Sequence, residues 1–193
     1  MRRPGLAGRP VRTLTALLAV VLLAGAEEFR ADDLPEASET RVKAAFLVNF
    51  PKYVDWPADA FARSNSPIVL AVFGEADVAE DLRKMTEGKT VNGRRLEFRH
   101  VNTEAECAHG CHILFISAAE GPRTGALLNR IQGASILTVG DSDDFLDMGG
   151  VINLALRDRK IRIKVNLAAA HQARVVISSK LLAVADAVKG KSD

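Results

Sequence analysis

Two cysteines and two histidines lie close together in the middle of the chain, at Cys107, His109, Cys111 and His112. Thiolate and imidazole groups are the donors that zinc and copper prefer, so this spacing permits a metal site. Four ligands so near one another reach tetrahedral geometry with difficulty, and an isolated loop binds metal poorly. In an oxidising compartment the simpler prediction is a disulfide between Cys107 and Cys111 that pins the loop. We therefore predict a disulfide and no bound metal.

An acidic turn is the second place where chemistry is conceivable. It carries four aspartates, Asp141, Asp143, Asp144 and Asp147. Carboxylates are ligands for calcium and magnesium, but aspartates in such runs more often cap a solvated turn. Ser142 follows Gly140-Asp141 as in a serine esterase, yet a nucleophilic serine needs a nearby base and His171 is the only histidine downstream. No phosphate-binding glycine motif is present. These patterns predict a binding module, with no catalytic residue and no cofactor.

The acidic turn lies between two predicted strands. Residues 136–139 form an apolar run that ends at Gly140, and Phe145, Leu146 and Met148 suit one helical turn that Gly149-Gly150 ends. Residues 151–156 and 160–166 then predict a hairpin around Asp158-Arg159.

Earlier in the chain, predicted strands alternate with predicted helices. The strands are residues 68–73, 96–101 and 112–116, and the helices are residues 78–85 and 122–131. Such alternation predicts crossover connections, hence a single-domain three-layer α/β/α sandwich with a mostly parallel sheet. The hairpin adds an antiparallel pair at one edge. A final amphipathic helix after Ser178 or Ser179 is expected to continue to Ala187.

Another helix is predicted from about Glu39, with Pro51 near its end. Apolar or amide side chains recur at three- and four-residue spacing, at Val42, Ala45, Phe46, Asn49, Phe50 and Tyr53. This spacing predicts one helix face. We expect Phe46, Phe50 and Trp56 to be core residues, and the alternative is that they form an aromatic ligand-binding cluster.

The first 26 residues have the pattern of a secretory signal peptide. Four arginines precede the apolar run 14–24, and Ala24-Gly25-Ala26 supplies small residues for cleavage. The alternative is a retained anchor, but the run is shorter than the ~20 residues that span a bilayer. Without residues 1–26, 22 Lys and Arg face 24 Asp and Glu, which removes the basic surface that nucleic-acid binding needs. We predict a periplasmic protein with a flexible lead-in, residues 27–37, and one domain, residues 38–190.

Four blocks in order carry a resemblance to the YfiR family of periplasmic proteins: VKAAFLVNFPKYVDWP, ILTVGDSDDFLDMGGVINL, KIRIKVNLAAA and ISSKLLAVA. The resemblance implies a repressor that binds the periplasmic sensor domain of an inner-membrane diguanylate cyclase and lowers cyclic di-GMP production. It also implies a homodimer, an outer-membrane lipoprotein as a second partner, and no enzymatic activity. Family members show disulfide-dependent behaviour and often two bridges, whereas this chain has cysteines for one.

Two surfaces are candidates for partner contact. They are the helical turn with Phe145 and Met148, and the hairpin with Ile152 and Ile163, whose edge backbone is free to pair with a partner strand. The alternative function is a periplasmic small-ligand-binding module. Its pocket would lie at the carboxyl ends of the strands near Gly74, Ser117 and Gly140, where open α/β sheets bind ligands.

Overall fold

The computed structural model describes residues 36–74, 76–107 and 110–190 of the 193-residue chain. The predicted signal peptide and residues 27–35 of the predicted lead-in lie outside this part. Within it, no helix is both long enough and apolar enough to cross a membrane.

The described part alternates strands and helices. The helices are α1 (Glu36–Asn49), α2 (Val78–Thr86), α3 (Glu104–Cys107), α4 (Pro122–Arg130), α5 (Leu167–Gln172) and α6 (Ser179–Val184), with 3-10 turns at Phe50–Lys52, Ala58–Ala60 and Ala118–Glu120. The strands are β1 (Val54–Asp55), β2 (Ile68–Phe73), β3 (Thr90–Val91), β4 (Arg94–Val101), β5 (Ile113–Ile116), β6 (Leu137–Gly140), β7 (Ile152–Arg157), β8 (Lys160–Asn166), β9 (Val176–Ile177) and β10 (Ala187–Lys189).

Eight of these strands form one sheet in the order β10-β8-β7-β6-β5-β2-β4-β3. Its centre is parallel, and every residue of β2, β5 and β6 is buried. Continuous apolar runs suit such strands because helices cover both faces. Strands β7 and β8 form the predicted antiparallel hairpin. The α/β prediction with a mostly parallel sheet and antiparallel pairs near the edges is confirmed, and β10 adds an unpredicted parallel strand outside β8.

Side chains alternate along β2 into two separate cores. Leu70 and Val72 pack with α1 and α2 on one face of the sheet. Ala71 and Phe73 pack on the other face with Cys107 of α3 and with α4. This division gives the three layers that the sequence pattern predicts.

Helix α1 packs on the core through a second face as well as the predicted one. Ala44, Leu47 and Val48 are buried against the sheet, whereas Val42 is 43% exposed and Phe46 is only partly buried. The core prediction is confirmed for Phe50, which is 1% exposed, and Phe46 and Trp56 pack half-buried against the same core. Helical spacing alone did not predict the burial of Ala44, Leu47 and Val48, because α1 has apolar residues on two faces.

The C-terminal helix is shorter than predicted. The Ser178 side chain caps α6 by accepting a hydrogen bond from the Leu181 N–H at 3.4 Å, as expected. The helix ends at Val184, and Ala187 belongs to β10 instead. The Asp186 N–H donates to the Ile163 carbonyl oxygen at 2.8 Å. Pairing with β8 therefore overrides the helical pattern at Ala187.

Candidate functional site

The sheet changes its winding direction between β2 and β5. The chain passes from β2 to β4 on one side, and β5 then pairs with β2 on the other side. Counted in chain order, β2, β4, β5, β6 and β7 give the doubly wound order 2-1-3-4-5. In open sheets of this kind, ligands bind outside the carboxyl ends of the strands at the reversal. The reversal therefore indicates where a site is expected.

A crevice lies at this end of the sheet and has a cavity volume of about 200 Å³. Its polar lining comprises Glu39, Thr40, Lys43, Asp77, Ser117 and Asp141, and we call it the switch-point crevice. Helix α1 contributes Lys43 to this crevice. The residues that follow β5 and β6, Ser117 and Asp141, also line it. Ser117 and Gly140 of the expected pocket region are thus at or next to this crevice.

The Lys43 ammonium group joins α1 to the end of β6. It lies 2.6 Å from Glu39 Oε1 and 2.7 Å from Asp141 Oδ2. The other Asp141 oxygen accepts a hydrogen bond from the Ala118 N–H at 2.6 Å. Burial acts to lower the pKa of Lys43, but the hydrogen bonds to Asp141 and Glu39 outweigh it, so the pKa is raised above the ordinary lysine value. Lys43 therefore remains charged. This role of Lys43 is not evident from the sequence, because no local pattern marks the lysine as buried.

A second concave surface lies on the outer side of α1. This apolar groove has a cavity volume of about 450 Å³ and is lined by Arg41, Val42, Ala45, Phe46, Asn49 and Met85. Val42, Ala45, Phe46 and Asn49 of this lining belong to the helix face that the sequence spacing predicts. Exposed apolar side chains that cluster in this way are typical of interaction surfaces.

The residues predicted to contact a partner are mostly buried. Phe145 and Ile152 are 0% exposed and Ile163 is 5% exposed, so they do not reach a partner in this conformation. A Cβ atom at Gly140 or Gly150 would come within 2.3 Å or 2.1 Å of the Phe145 ring. Phe145 is therefore held between two glycines as part of the core. Met148 is half-buried, and its role in partner contact stays a prediction.

The predicted disulfide between Cys107 and Cys111 is absent from the structure, in which both are free and buried. Cys111 Sγ donates to the Cys107 carbonyl oxygen at 3.1 Å. Burial raises the pKa of Cys107 to about 12 and that of Cys111 to about 11, which disfavours the thiolate that a metal or a disulfide exchange needs. Because the two cysteines lie close together, a disulfide between them in an oxidising compartment stays a prediction.

His112 was a candidate metal ligand, but both of its ring nitrogens are hydrogen-bonded to the backbone. Its Nδ1 accepts a hydrogen bond from the Val69 N–H at 3.1 Å, which leaves Nε2 as the donor to the Ala60 carbonyl oxygen at 3.2 Å. Phe61 stacks on the ring at 4.5 Å. Burial lowers the pKa of His112 to about 4, so the ring is neutral. Within the part of the chain that the structure describes, no three potential ligands come together as a metal site, and His109 lies outside that part.

Three of the four aspartates in the acidic turn pair with basic side chains. Asp141 pairs with Lys43, Asp143 pairs with Arg157, and Asp147 lies 2.7 Å from Lys189 Nζ. The Ser142 carbonyl oxygen accepts a hydrogen bond from the Asn153 amide, and no hydrogen bond joins Ser142 to a histidine in the described residues. The turn thus ties β6 to the hairpin and to β10.

The chain matches a known protein family over most of its length. The model of the YfiR/HmsC-like family matches residues 40–186, which is most of the chain. The chain belongs to the YfiR/HmsC-like family. This membership confirms the resemblance carried by the four sequence blocks. The family is one of periplasmic regulators of diguanylate cyclase signalling and is not known for enzymes.

Two solved structures show the same fold at low identity. A conserved domain protein from Vibrio cholerae O1 biovar El Tor is 13% identical, with a TM-score of 0.50. The match covers 78% of this chain and 60% of that protein. An ABC domain in complex with L-Trp from Streptococcus pneumonia is 12% identical, with a TM-score of 0.51. The match covers 75% of this chain and 60% of that domain's chain. This YfiR/HmsC-like chain therefore spans less than two thirds of either structure. A search of curated proteins gave no match.

Proposed function

We propose that this protein is a periplasmic repressor that binds the periplasmic sensor domain of an inner-membrane diguanylate cyclase and lowers cyclic di-GMP production. The observation that carries the proposal is the family match over residues 40–186. The signal-peptide pattern of residues 1–26 supports a periplasmic location. Repression then works by binding: the protein stabilises the inactive cyclase conformation and catalyses nothing itself.

The apolar groove on α1 is the surface that we assign to the sensor domain. Val42 in its lining is 43% exposed, and Phe46, Ala45 and Met85 add further apolar area. An amphipathic helix laid into such a groove would bury this area, which is a recurring mode of recognition. This assignment replaces Phe145, Ile152 and Ile163, because those side chains are already buried by the fold.

Two further features of the proposal rest on the family, namely a homodimer and sequestration by an outer-membrane lipoprotein. A disulfide between Cys107 and Cys111 rests instead on the oxidising compartment that the signal-peptide pattern implies. Sequestration fits the repressor mechanism because a competing partner lowers the amount of repressor free to bind the cyclase.

Deletion of the gene tests the proposal in cells. We expect cellular cyclic di-GMP to rise in the deletion strain and to return to its starting level when the wild-type gene is restored. A Cys107→Ser, Cys111→Ser double variant is compared at equal protein level, and its failure to restore repression would make the disulfide part of the mechanism. Unchanged cyclic di-GMP in the deletion strain under several growth conditions would contradict the repressor function.

A further inference from the structure

Strand β4 has an unpaired stretch along one edge. Strand β2 pairs with residues 96–101 of β4 on the inner side, whereas β3 covers only Arg94 and Arg95 on the outer side. In the part of the chain that the structure describes, no strand pairs with residues 97–101 on that outer side. We call these five residues the free edge. An edge of this kind presents backbone N–H and C=O groups with which a further strand can pair.

The outward backbone groups of the free edge belong to Phe98 and His100. The Leu96 N–H points to the β3 side, where it donates a hydrogen bond at 2.9 Å. The Val101 carbonyl oxygen points to the β2 side, where it accepts a hydrogen bond at 2.9 Å. Because successive residues of a strand direct their backbone groups to alternate sides, the groups of Phe98 and His100 point away from β2. Two donors and two acceptors at this spacing match the backbone of an extended polypeptide.

A groove lies between the free edge and α2. Its cavity volume is about 420 Å³, and its lining includes Phe98 and His100 from β4 and Ala79, Glu80 and Arg83 from α2. Side chains alternate between the two faces of a sheet, so every second side chain of a strand added to β4 would point into this groove. Phe98 and Ala79 are partly buried apolar residues. They favour apolar side chains at those positions of the added strand.

The other face of the free edge favours an acidic strand. Arg95, Glu97 and Arg99 alternate along that face of β4, and all three are exposed. Their formal charges sum to plus one. Opposite charges on neighbouring strands stabilise a sheet, and like charges directly opposite each other destabilise it. A second copy of this chain is therefore a poor occupant, because antiparallel pairing of Phe98 with His100 of the other copy places the two Arg99 side chains opposite each other.

We propose that the free edge of β4 binds an extended segment of a partner polypeptide as an added strand, with apolar residues on the α2 face and acidic residues on the other face. The paired part of the segment is short, because β3 bounds the free edge at one end and α3 follows it at the other. The groove shares no lining residue with the apolar groove on α1. The inference therefore goes beyond the proposed function and does not depend on it.

Titration of the purified protein with a labelled peptide tests this proposal. The probe is a blocked heptapeptide in which valine alternates with glutamate, and fluorescence anisotropy at physiological salt measures its binding. We expect saturable binding by the wild-type protein. The same peptide with lysine in place of glutamate should bind more weakly. No saturable binding of the glutamate peptide, or equally tight binding of the lysine peptide, would overturn the proposal.

Two N-methylated forms of the probe show whether binding uses the backbone. Valines that face α2 donate their N–H groups to β4 in an antiparallel pair, whereas the glutamates donate theirs in a parallel pair. Methylating one of the two sets should therefore weaken binding by about tenfold or more, and methylating the other set should leave binding. Equal affinities of the two methylated forms would overturn strand addition.

Two substitutions at His100 place the peptide on the free edge. His100→Pro removes one outward N–H, and His100→Ala is the matched control that loses the same side chain but keeps the N–H. We expect about tenfold weaker peptide binding by His100→Pro and binding within about twofold of the wild type by His100→Ala. Because this N–H points away from β2, proline leaves the pairing of β2 with β4 intact, and a thermal melt of each variant checks the fold. Equal binding by the two variants would contradict the proposal.

Amide hydrogen exchange of the wild-type protein needs no variant. The N–H groups of Phe98 and His100 should exchange fast in the free protein and slowly with the peptide bound. Slow exchange of both in the free protein, increasing with protein concentration, would identify a second copy as the occupant and overturn the proposal.

Discussion

Folding lowers the pKa of His112 from 6.5 to about 4 because the ring is buried. Its two ring nitrogens are hydrogen-bonded to Val69 and Ala60, and Trp56 packs edge-on against the ring at 6.1 Å. The indole N–H of Trp56 also donates to the His112 carbonyl oxygen at 3.2 Å. A neutral ring satisfies all these contacts, whereas a protonated ring loses the Val69 hydrogen bond and becomes a buried charge.

Acid should therefore destabilise the protein through His112. The folded-state pKa of about 4 lies below the ordinary value of 6.5, so the unfolded state binds the proton first. The stability that His112 contributes is complete above about pH 6.5 and is lost as the pH falls towards 4, by up to about 3 kcal/mol at 1.36 kcal/mol per pKa unit. Urea unfolding at pH 7 and pH 4.5 measures this loss. Between these two pH values, His112→Asn should lose less unfolding free energy than the wild type, by most of that amount. An equal loss in both proteins would show that His112 does not cause it.

The cysteines make a second residue-scale prediction. In the reduced protein, burial and the raised pKa values of Cys107 and Cys111 should make both thiols react slowly with a disulfide reagent at pH 8, and urea should make the reaction fast. For comparison, protein taken from the periplasm is alkylated without prior reduction. Its intact mass distinguishes free thiols from a disulfide, because a disulfide blocks alkylation. Rapid labelling of the folded reduced protein would contradict the burial of the thiols.

Single residues also mark the limit of prediction from sequence. The apolar run ending at Gly140 and the pair Gly149-Gly150 did predict a compact loop between two strands. The role of Phe145 depends on the two glycines that approach its ring from either side, which only the folded chain reveals. Lys43 likewise depends on Asp141, a residue 98 positions away along the chain.

At the scale of elements, α1 has apolar residues on two faces. One face covers the sheet, and the opposite face lines the apolar groove. The sequence predicted the helix and the burial of Phe50, but not the second face with Ala44, Leu47 and Val48, because helical spacing alone does not tell how many apolar faces are buried. Strands β2, β5 and β6 were easier to predict, since their apolar runs are continuous and short.

Val42→Glu tests the groove as a partner surface. Because Val42 is exposed, we expect the free energy of unfolding to change by no more than about 0.5 kcal/mol. A buried charge at the interface should weaken repression, so cellular cyclic di-GMP should rise towards the level of the deletion strain. Val176→Glu is the matched control, since Val176 is 64% exposed on β9 outside the groove, and it should repress normally. Full repression by Val42→Glu at normal protein level would remove the groove from the interface.

At the scale of the whole molecule, the fold joins a rigid parallel centre to two surfaces with different chemistry. The centre of the sheet is buried on both faces and places the charged crevice at its carboxyl end. Helix α1 borders both the crevice and the apolar groove, because Lys43 lies in one and Val42 in the other. A repressor acts on its target only through a difference in affinity between the active and inactive states.

Cyclase activity in detergent-solubilised membranes of the deletion strain tests repression most directly. Purified wild-type protein is added, and the rate of cyclic di-GMP formation from GTP is measured. Repression by binding predicts that the rate falls with added protein to a saturating minimum, that Val176→Glu acts like the wild type, and that Val42→Glu needs a much higher concentration. A rate that is unaffected by the wild-type protein at saturating concentration would contradict the proposed function.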